Sequence, residues 1–399
     1  MEIGVVGQPN VGKSTLFNAL TLLDVAMAPY PFTTTKPNRG VGAVRVPCPH
    51  VEKGVSCSPG NATCVDGVRW APVNLIDVPG LVPGAHDGRG LGHQFLDDLR
   101  PSDGFLQVVD LSGGTSEEGV SAPVGTHDPA LGVEWLEDEL VEWIAEILGR
   151  DFERNVRSLE LEGGKLEEFL QRRLTGLAIS AFAISAAVRS SGIDIAHPHL
   201  WSVSDRRGLA RELLRSAKPR LVGANKCDRS TKEQWEIFRE RTASSVPSVP
   251  CSADAELTLR RAARAHLVRY RPGDSRFEPV PGATLLPAQT KALEAIAGVM
   301  DHWEGTGVQR ALESLLFERL HRVAVFPVED ESHWTDSRGR VLPDLFLVPA
   351  DSTVRSVAYR VHTDLGENFL RAIDARTHRA LGADHPVSPG AILRIVSKR

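Results

Sequence analysis

A glycine-rich turn follows the first apolar run of the chain. Residues 3–6 read Ile-Gly-Val-Val, and Gly7-Gln-Pro-Asn-Val-Gly12-Lys13-Ser14 comes directly after them. This order fits GxxxxGK[ST] between a predicted strand and a predicted helix, the context that makes the motif specific. Backbone N–H groups of such a turn and the positive end of the helix bind phosphate oxygens. The residues expected to bind a nucleotide here are Gly7, Asn10, Val11, Gly12, Lys13, Ser14 and Thr15.

Three further features point to a triphosphate with a metal ion. Lys13 is expected to reach the β- and γ-phosphates as a catalytic charge, while the Ser14 hydroxyl binds Mg²⁺. Asp77-Val-Pro-Gly80 follows another apolar run and reads as DxxG, with Asp77 supporting Mg²⁺ and the Gly80 N–H contacting the γ-phosphate. This spacing after the turn predicts the phosphate half of a nucleotide site.

A threonine run upstream of DxxG offers a nucleotide-sensing ligand. Phe32-Thr33-Thr34-Thr35 could complete the Mg²⁺ shell with a hydroxyl only while the γ-phosphate is present. Thr34 is the first choice as metal ligand and catalytic residue, and Thr33 is the second. A plain polar loop is the alternative interpretation.

The base-selecting residues are predicted at the end of a later strand. Leu221–Ala224 is apolar and runs into Asn225-Lys226-Cys227-Asp228. A carboxylate at Asp228 can accept two hydrogen bonds from guanine, whereas adenine lacks that donor pair and would leave the carboxylate unpaired. Lys226 is expected to lay its stem over the base. Ser252 and Ala253, after another strand, are expected to offer a backbone N–H to the guanine oxygen, so the pattern favours GTP over ATP.

The residues around DxxG predict slow hydrolysis. Many such proteins place Gln directly after DxxG to orient water, and here that position is Leu81. Asn10 could help coordinate a K⁺ ion that offsets developing charge, or it could simply form the turn. His86 could hydrogen-bond water, although a surface-loop histidine is the favoured interpretation.

A group of soft ligands lies in a loop-like stretch rich in Pro, Gly and Asn. Cys48, His50, Cys57 and Cys64 could hold Zn²⁺ tetrahedrally. The spacing is not that of two CxxC knuckles, so an insertion with reduced thiols remains the alternative.

A basic stretch is the candidate RNA contact. Residues 259–271 carry several arginines and few acids, and on a helix some would share a face that could contact phosphates. A solvated basic helix is the alternative. The arginines are Arg260, Arg261, Arg264, Arg269 and Arg271.

The bulk composition limits the function classes. The chain has 399 residues and a formal net charge of −5, which argues against wholesale electrostatic binding of nucleic acid, and no DNA partner is predicted. Five cysteines are an odd number and few for this length, which argues against a disulfide framework. The longest apolar stretch, near Leu177–Val188, contains serine and is too short to cross a bilayer. These features predict a cytoplasmic protein without a membrane partner.

The elements that must position these residues follow an α/β pattern. Short apolar strands alternate with helical segments, which predicts a mostly parallel P-loop sheet over residues 1–129 and 217–320. Gly113–Pro129 is predicted to be a mobile loop. Residues 130–216 are predicted to be a helical insertion, a hairpin of long helices, with covering helices of one larger domain as the alternative. Residues 321–399 are predicted to form a small α+β domain.

Longer motifs carry a family resemblance. The stretches 32–40 and 77–92 resemble those of Obg/YchF-type GTPases of the translation-factor class, and 362–370 with 387–395 looks like a TGS domain, a ubiquitin-like fold. The resemblance covers nearly the whole chain and is closest to the archaeal YchF-like branch. It implies a G domain with a helical insertion, a ribosome or RNA partner, and K⁺-stimulated activity where a P-loop Asn is present, here Asn10.

One departure from the family pattern affects the choice of nucleotide. Many YchF proteins carry a degenerate base motif ending in Glu and prefer ATP, whereas this chain has Asp228. We therefore expect a slow, ribosome-associated GTPase switch. A nucleotide-gated binding module with negligible turnover and a YchF-type ATPase remain the rivals.

Overall fold

The computed structural model describes residues 1–22, 38–80, 98–177 and 179–398. Thr33, Thr34, Leu81 and His86 therefore lie outside the described residues. The chain divides into two compact units, which are described separately. One contains Met1–Leu22 and Asn74–Leu315; the other contains Val41–Val73 and Leu316–Arg399.

A seven-stranded sheet forms the framework of the nucleotide motifs. Its order is β2-β4-β1-β5-β6-β7, with β3 paired to β4. The pairs β4–β1, β1–β5, β5–β6 and β6–β7 are all parallel, and every residue of β5 and β6 is buried, as expected for strands covered by helices on both faces. The strands are β1 (Glu2–Val6), β2 (Asn38–Pro47), β3 (Thr63–Val65), β4 (Val68–Asp77), β5 (Gly104–Asp110), β6 (Arg220–Asn225) and β7 (Ser248–Pro250).

Helices of the first unit lie between successive parallel strands in the described residues, as the helix Lys13–Thr21 follows β1 and the helix Lys232–Thr242 lies between β6 and β7. Parallel neighbours need such crossover connections. A small separate hairpin pairs β8 (Val268–Arg269) with β9 (Glu278–Pro279). The helices outside the insertion are α1 (Lys13–Thr21), α8 (Lys232–Thr242), α9 (Ala253–Arg264), α10 (Pro287–Trp303) and α11 (Val308–Ser314).

The helical insertion differs from the predicted hairpin. Its described residues, 130–177 and 179–216, form five α-helices, because left-handed residues such as Asp151 and Gly192 interrupt the apolar periodicity. The two long helices, α3 and α7, pack against each other over a core that includes Leu140, Ile144 and Leu213. The helices are α3 (Pro129–Gly149), α4 (Phe152–Leu161), α5 (Leu166–Leu174), α6 (Ala181–Ser191) and α7 (Val203–Ala217).

Among the described residues, no single helix combines the length and low charge needed to cross a bilayer. Leu166–Leu177 with Ala181–Ser191 passes that test only as a pair, bent by 118°. Leu170, Leu174 and Ile184 of this pair are buried in the core of the insertion.

The second unit has a mixed five-stranded sheet of order β11-β10-β14-β12-β13. β10 and β14 are parallel and the other pairs antiparallel. Two C-terminal helices contribute to it, and Val354 and Val357 of the first are buried with the sheet residues Val325 and Leu393. The elements are α2 (His50–Lys53), β10 (Arg322–Val328), β11 (Phe346–Pro349), α12 (Val354–Val361), α13 (Thr363–Glu367), β12 (Phe369–Asp374), β13 (Ala380–Leu381) and β14 (Ala391–Ser397).

Candidate nucleotide-binding site

The predicted phosphate loop joins β1 to the N-terminus of α1. Gly7, Asn10 and Gly12 have positive φ values of 145°, 60° and 99°, which curl the backbone. A Cβ at Gly12 would lie 2.2 Å from Asn225 Nδ2, so this position requires glycine. The first turn of α1 has no acidic residue and no side-chain cap. Its N–H groups and dipole are therefore suited to an anion.

Lys13 lies under this loop and is buried. Its ammonium donates to the Gln8 carbonyl at 2.7 Å. Burial lowers the pKa of Lys13 to about 8, and the Asp77 carboxylate only partly offsets that effect. A phosphate would raise this pKa again, because an anion nearby favours the protonated form. The chain thus holds a desolvated cation where the sequence predicts the β- and γ-phosphates.

The expected magnesium ligands Ser14 and Asp77 are brought together. The Ser14 hydroxyl donates to Asp77 Oδ2 at 3.0 Å. Asp77 Oδ1 is buried without a hydrogen-bond partner among the described residues, and burial raises the pKa of this carboxyl despite Ser14 and Lys13. Hard oxygen donors of this kind fit Mg²⁺, which would remove the cost of the unpaired oxygen.

Gly80 approaches the phosphate loop closely. A Cβ at this position would lie 2.7 Å from Pro9 Cα, so a side chain cannot be accommodated there. This approach keeps the backbone of DxxG beside the loop. The threonine ligands Thr33 and Thr34, the Leu81 position and His86 lie outside the described residues, so their roles stay predictions.

Asn225 connects the phosphate loop to the base motif. Its Nδ2 donates to the Val11 carbonyl at 2.8 Å, and its Oδ1 accepts the Ala253 N–H at 3.0 Å. All three groups are buried. Asn225, the first residue of the Asn-Lys-Cys-Asp motif, therefore joins the phosphate loop to the base motif through hydrogen bonds within the protein.

The Asp228 carboxylate is held by the side chain of Ser252, a residue that the sequence predicted to act through its backbone N–H. The Ser252 hydroxyl donates to Asp228 Oδ1 at 2.7 Å, and 28% of the Asp228 side chain remains exposed. This contact orients the carboxylate while Oδ2 faces a more distant Arg229 at 3.8 Å. A carboxylate fixed in this way is prepared to accept hydrogen bonds from a base.

The expected backbone donors have hydrogen-bond partners within the protein in this structure, and their contact with guanine stays a prediction. The Ala253 N–H donates to Asn225, and the Ser252 N–H donates to the Thr306 carbonyl at 2.8 Å. The Cys251 N–H donates to the Ala224 carbonyl at 2.8 Å. Ser252 and Ala253 position Asp228 and Asn225 instead of presenting free N–H groups.

The ammonium group of Lys226, whose stem is expected to cover the base, is held in place by hydrogen bonds. Its ammonium donates to the Asn10 carbonyl at 3.1 Å, Asp110 Oδ2 at 2.8 Å and Thr115 Oγ1 at 3.1 Å. Burial would raise the pKa of Asp110, but hydrogen bonds from Lys226, Ser112 and Thr115 outweigh it and hold the pKa below its usual value. The pair stabilises an extended Lys226 side chain.

The sequence motifs did not identify Asp110 and its neighbours as part of the site. Asp110 ends β5, next to the phosphate-loop strand, and a polar residue at the carboxyl end of a buried central strand was the available signal. Gly119, in the irregular stretch that was predicted to be a loop, accepts the Asn10 amide at 2.8 Å. Asn10 therefore combines a left-handed backbone conformation with a side chain that is held in place by a hydrogen bond.

Two other predicted groups have different outcomes. Cys48, His50, Cys57 and Cys64 come together, with candidate ligand atoms all within 4.8 Å of one another. The basic face is corrected at Arg260, which is 2% exposed and pairs with buried Glu256 at 2.6 Å. Arg269 and Arg271 lie beyond the end of α9, whereas Arg261 and Arg264 lie in its last turn.

Three family models match the chain. They are "50S ribosome-binding GTPase" over residues 2–144, "Obg-like GTPase YGR210-like, G4 motif-containing domain" over residues 223–330, and "TGS domain" over residues 337–397. Together with the geometry, they define a P-loop protein of the GTPase class with a C-terminal TGS domain.

Full-length relatives identify the family. A GTP-binding protein of Methanocaldococcus jannaschii is 41% identical over 395 residues, 99% of this chain and 98% of the relative. A GTP-binding protein of Schizosaccharomyces pombe is 32% identical over 372 residues, 90% of this chain and 89% of the relative. The crystal structure of a GTP-binding protein from Pyrococcus horikoshii has a TM-score of 0.80 at 34% identity and covers 100% of both chains. The chain belongs to the Obg/YchF-like family of GTP-binding proteins. More distant relatives carry the name Obg-like ATPase 1.

Proposed function

We propose that this chain binds GTP in preference to ATP with Mg²⁺, and hydrolyses it slowly to GDP and phosphate. The observation that carries the proposal is the orientation of Asp228 by Ser252, on a motif that Asn225 ties to the phosphate loop. Adenine offers no donor pair to that carboxylate, so ATP would leave it desolvated and unpaired. The cost of leaving the Asp228 carboxylate without a partner weighs against the ATPase alternative, despite the names of the distant relatives.

The base choice is tested by exchanging the carboxylate for an amide. Asp228→Asn should lower GDP affinity by about 100-fold, because two hydrogen bonds to a charged acceptor are lost. Xanthine carries a carbonyl where guanine carries the amino group, so the new amide should donate to it and xanthosine diphosphate should bind more tightly than to wild type. Titration calorimetry measures both effects.

The matched control is Asp254→Asn, since Asp254 is an exposed aspartate in the first turn of α9. It should leave the preference for GDP over ADP unchanged. An unchanged preference in Asp228→Asn, with no gain for the xanthine nucleotide, would remove the assignment of Asp228.

The catalytic proposal rests on Lys13, Asn10, Gly80 and a switch threonine, Thr34 or Thr33. Lys13 and the Mg²⁺ held by Ser14 and Asp77 would neutralise charge on the transferred phosphoryl group. With Leu81 in place of a water-orienting Gln, we propose that K⁺ supplies part of the missing stabilisation. Asn10 supports this role because its Nδ2 is held by Gly119, which leaves Oδ1 as the atom for a cation.

Phosphate release in K⁺ and Na⁺ tests the cation. Wild type should turn over faster in K⁺, and Asn10→Gly should lose that stimulation while keeping its rate in Na⁺. Glycine is the suitable replacement because residue 10 has a φ of 60°. Lys13→Ala should abolish nucleotide binding. Equal wild-type rates in both salts would eliminate K⁺, and no turnover in either would favour the nucleotide-gated binding module.

We further propose that the chain acts in the cytoplasm as a switch on ribosomes or their RNA. The support is the match to a model described as a 50S ribosome-binding GTPase. We propose that residues 1–129 and 217–320 form the G domain, residues 130–216 the helical insertion and residues 321–399 the TGS domain. Co-sedimentation with ribosomes should be stronger with a non-hydrolysable GTP analogue than with GDP; absence of sedimentation in both states would exclude this partner.

A further inference from the structure

The second unit contains a cluster of soft ligands on a poorly packed segment. Cys48 follows β2, His50 begins α2, Cys64 lies in β3, and Cys57 lies in the connection between them. Val51, Val55 and Val65 of this segment are 61%, 37% and 40% exposed. Residues 48–65 therefore bury little apolar surface to fix their own conformation, which is the circumstance in which small structures use a metal.

The distances between the ligand atoms match a tetrahedral metal site. With Zn–S bonds of ~2.3 Å and Zn–N bonds of ~2.0 Å, a tetrahedron separates two sulfurs by about 3.8 Å and a sulfur from a nitrogen by about 3.5 Å. Cys48 Sγ lies 4.0 Å from Cys57 Sγ, and Cys64 Sγ lies 3.6 Å from His50 Nδ1. All four atoms lie within 4.8 Å of one another.

A buried cation borders the cluster. Arg69 is 0% exposed, and its Nη2 donates to Cys48 Sγ at 3.4 Å and to the Leu342 carbonyl at 3.0 Å. Its Nε and Nη1 are buried without hydrogen-bond partners among the described residues. Three thiolates and one Zn²⁺ carry about one net negative charge, which would compensate a buried guanidinium in a way that neutral thiols would not.

The segment is attached by polar contacts to the connection between β10 and β11. The Ser58 N–H donates to the Val341 carbonyl at 2.9 Å, and the Gly60 N–H donates to the Pro343 carbonyl at 2.6 Å. The Asn61 amide donates to the Leu345 carbonyl at 2.9 Å and accepts the Leu345 N–H at 3.0 Å. These bonds need a fixed loop, and cross-linking residues 48, 50, 57 and 64 through one ion would fix it.

We infer that Cys48, His50, Cys57 and Cys64 bind one structural Zn²⁺ that fixes residues 48–64 against the connection between β10 and β11. Four protein ligands close the coordination shell, so the ion has a structural role and leaves no position for a substrate. Arg69 is the positioning residue, since it links a ligand sulfur to the Leu342 backbone.

The test measures metal on the full chain purified without chelators or a metal-affinity tag. Wild type should retain about one zinc per chain by mass spectrometry, and Cys64→Ser and His50→Gln should retain almost none. His385→Gln is the matched control, because His385 is an exposed histidine of the same unit that is not among the four clustered ligands, and it should retain zinc like wild type. All variants should bind GDP as wild type does, which shows that the first unit is folded.

Cobalt gives an independent readout if the variants fail to fold. Apo wild type titrated with Co²⁺ should develop the intense visible bands of a tetrahedral thiolate site with an end point of one ion per chain, and Zn²⁺ should displace them. Wild type that holds no zinc and develops no such bands would overturn the inference. A disulfide between Cys48 and Cys57 in protein purified in the presence of a reductant would overturn the inference as well.

Discussion

Replacing Asn225 tests the connection between the two halves of the nucleotide site. Asn225→Ala removes the donor to the buried Val11 carbonyl and the acceptor of the buried Ala253 N–H. Each orphaned group costs about 1–3 kcal/mol, so the free energy of unfolding should fall by about 2–6 kcal/mol. GDP affinity should fall at least tenfold, or about 1.4 kcal/mol, because the phosphate loop loses its link to the base motif.

A graded replacement separates the two hydrogen bonds. Asn225→Asp keeps an acceptor for the Ala253 N–H but loses the donor to the Val11 carbonyl and buries a carboxylate against it, so stability should fall through the phosphate-loop side of the link. Asn74→Ala is the control, because Asn74 is an exposed asparagine of β4 and its loss should change stability by less than about 0.5 kcal/mol.

Urea unfolding followed by fluorescence measures stability, since Trp235 and Trp303 lie in the core that contains Val222 and Ala224 of β6. Calorimetry measures GDP affinity. If Asn225→Ala unfolds within about 0.5 kcal/mol of wild type and binds GDP equally well, the proposed link between loop and base motif is wrong.

Three further perturbations test neighbouring parts of the site. Because the pKa of Lys13 is about 8 and bound phosphate would raise it, GDP binding should take up a proton and weaken as pH rises from about 7 to 9; calorimetry in buffers of different ionisation enthalpy should detect this uptake, and pH-independent affinity would contradict it. Asp110→Asn should weaken GDP binding about tenfold by releasing Lys226, measured by fluorescent-nucleotide displacement, and wild-type affinity would refute that role. Gly12→Ala should abolish detectable GDP binding in the same assay, because a Cβ would clash with Asn225 at a φ of 99°; retained binding would contradict the close approach.

The regular elements and the motif residues were predictable because their signals are local. Apolar runs at β1, β5 and β6 identify buried parallel strands, and the turn and base motifs lie at the carboxyl ends of β1 and β6. The number of insertion helices was not predictable in the same way. The left-handed Asp151 interrupts a continuous apolar pattern; Asp adopts this conformation more often than most residue types, but the residue type alone does not decide where it does so.

Partnerships between distant side chains could not be derived from motifs. Ser252 donates to Asp228 across 24 residues, and Asn225 uses the Ala253 N–H that the motif alone seemed to leave free for a base. Arg260 belongs to a basic stretch in sequence but is buried against Glu256, because burial depends on which face of α9 meets the core. Spacing identifies the residues of the site, whereas distances decide which are free to contact a ligand.

The proposed function depends most directly on the choice of guanine by this chain. Paired calorimetric titrations of the purified protein with GDP and ADP in magnesium buffer measure that choice. We predict that GDP binds at least about 100-fold more tightly than ADP. Equal affinities, tighter binding of ADP, or no heat with GDP would contradict the account.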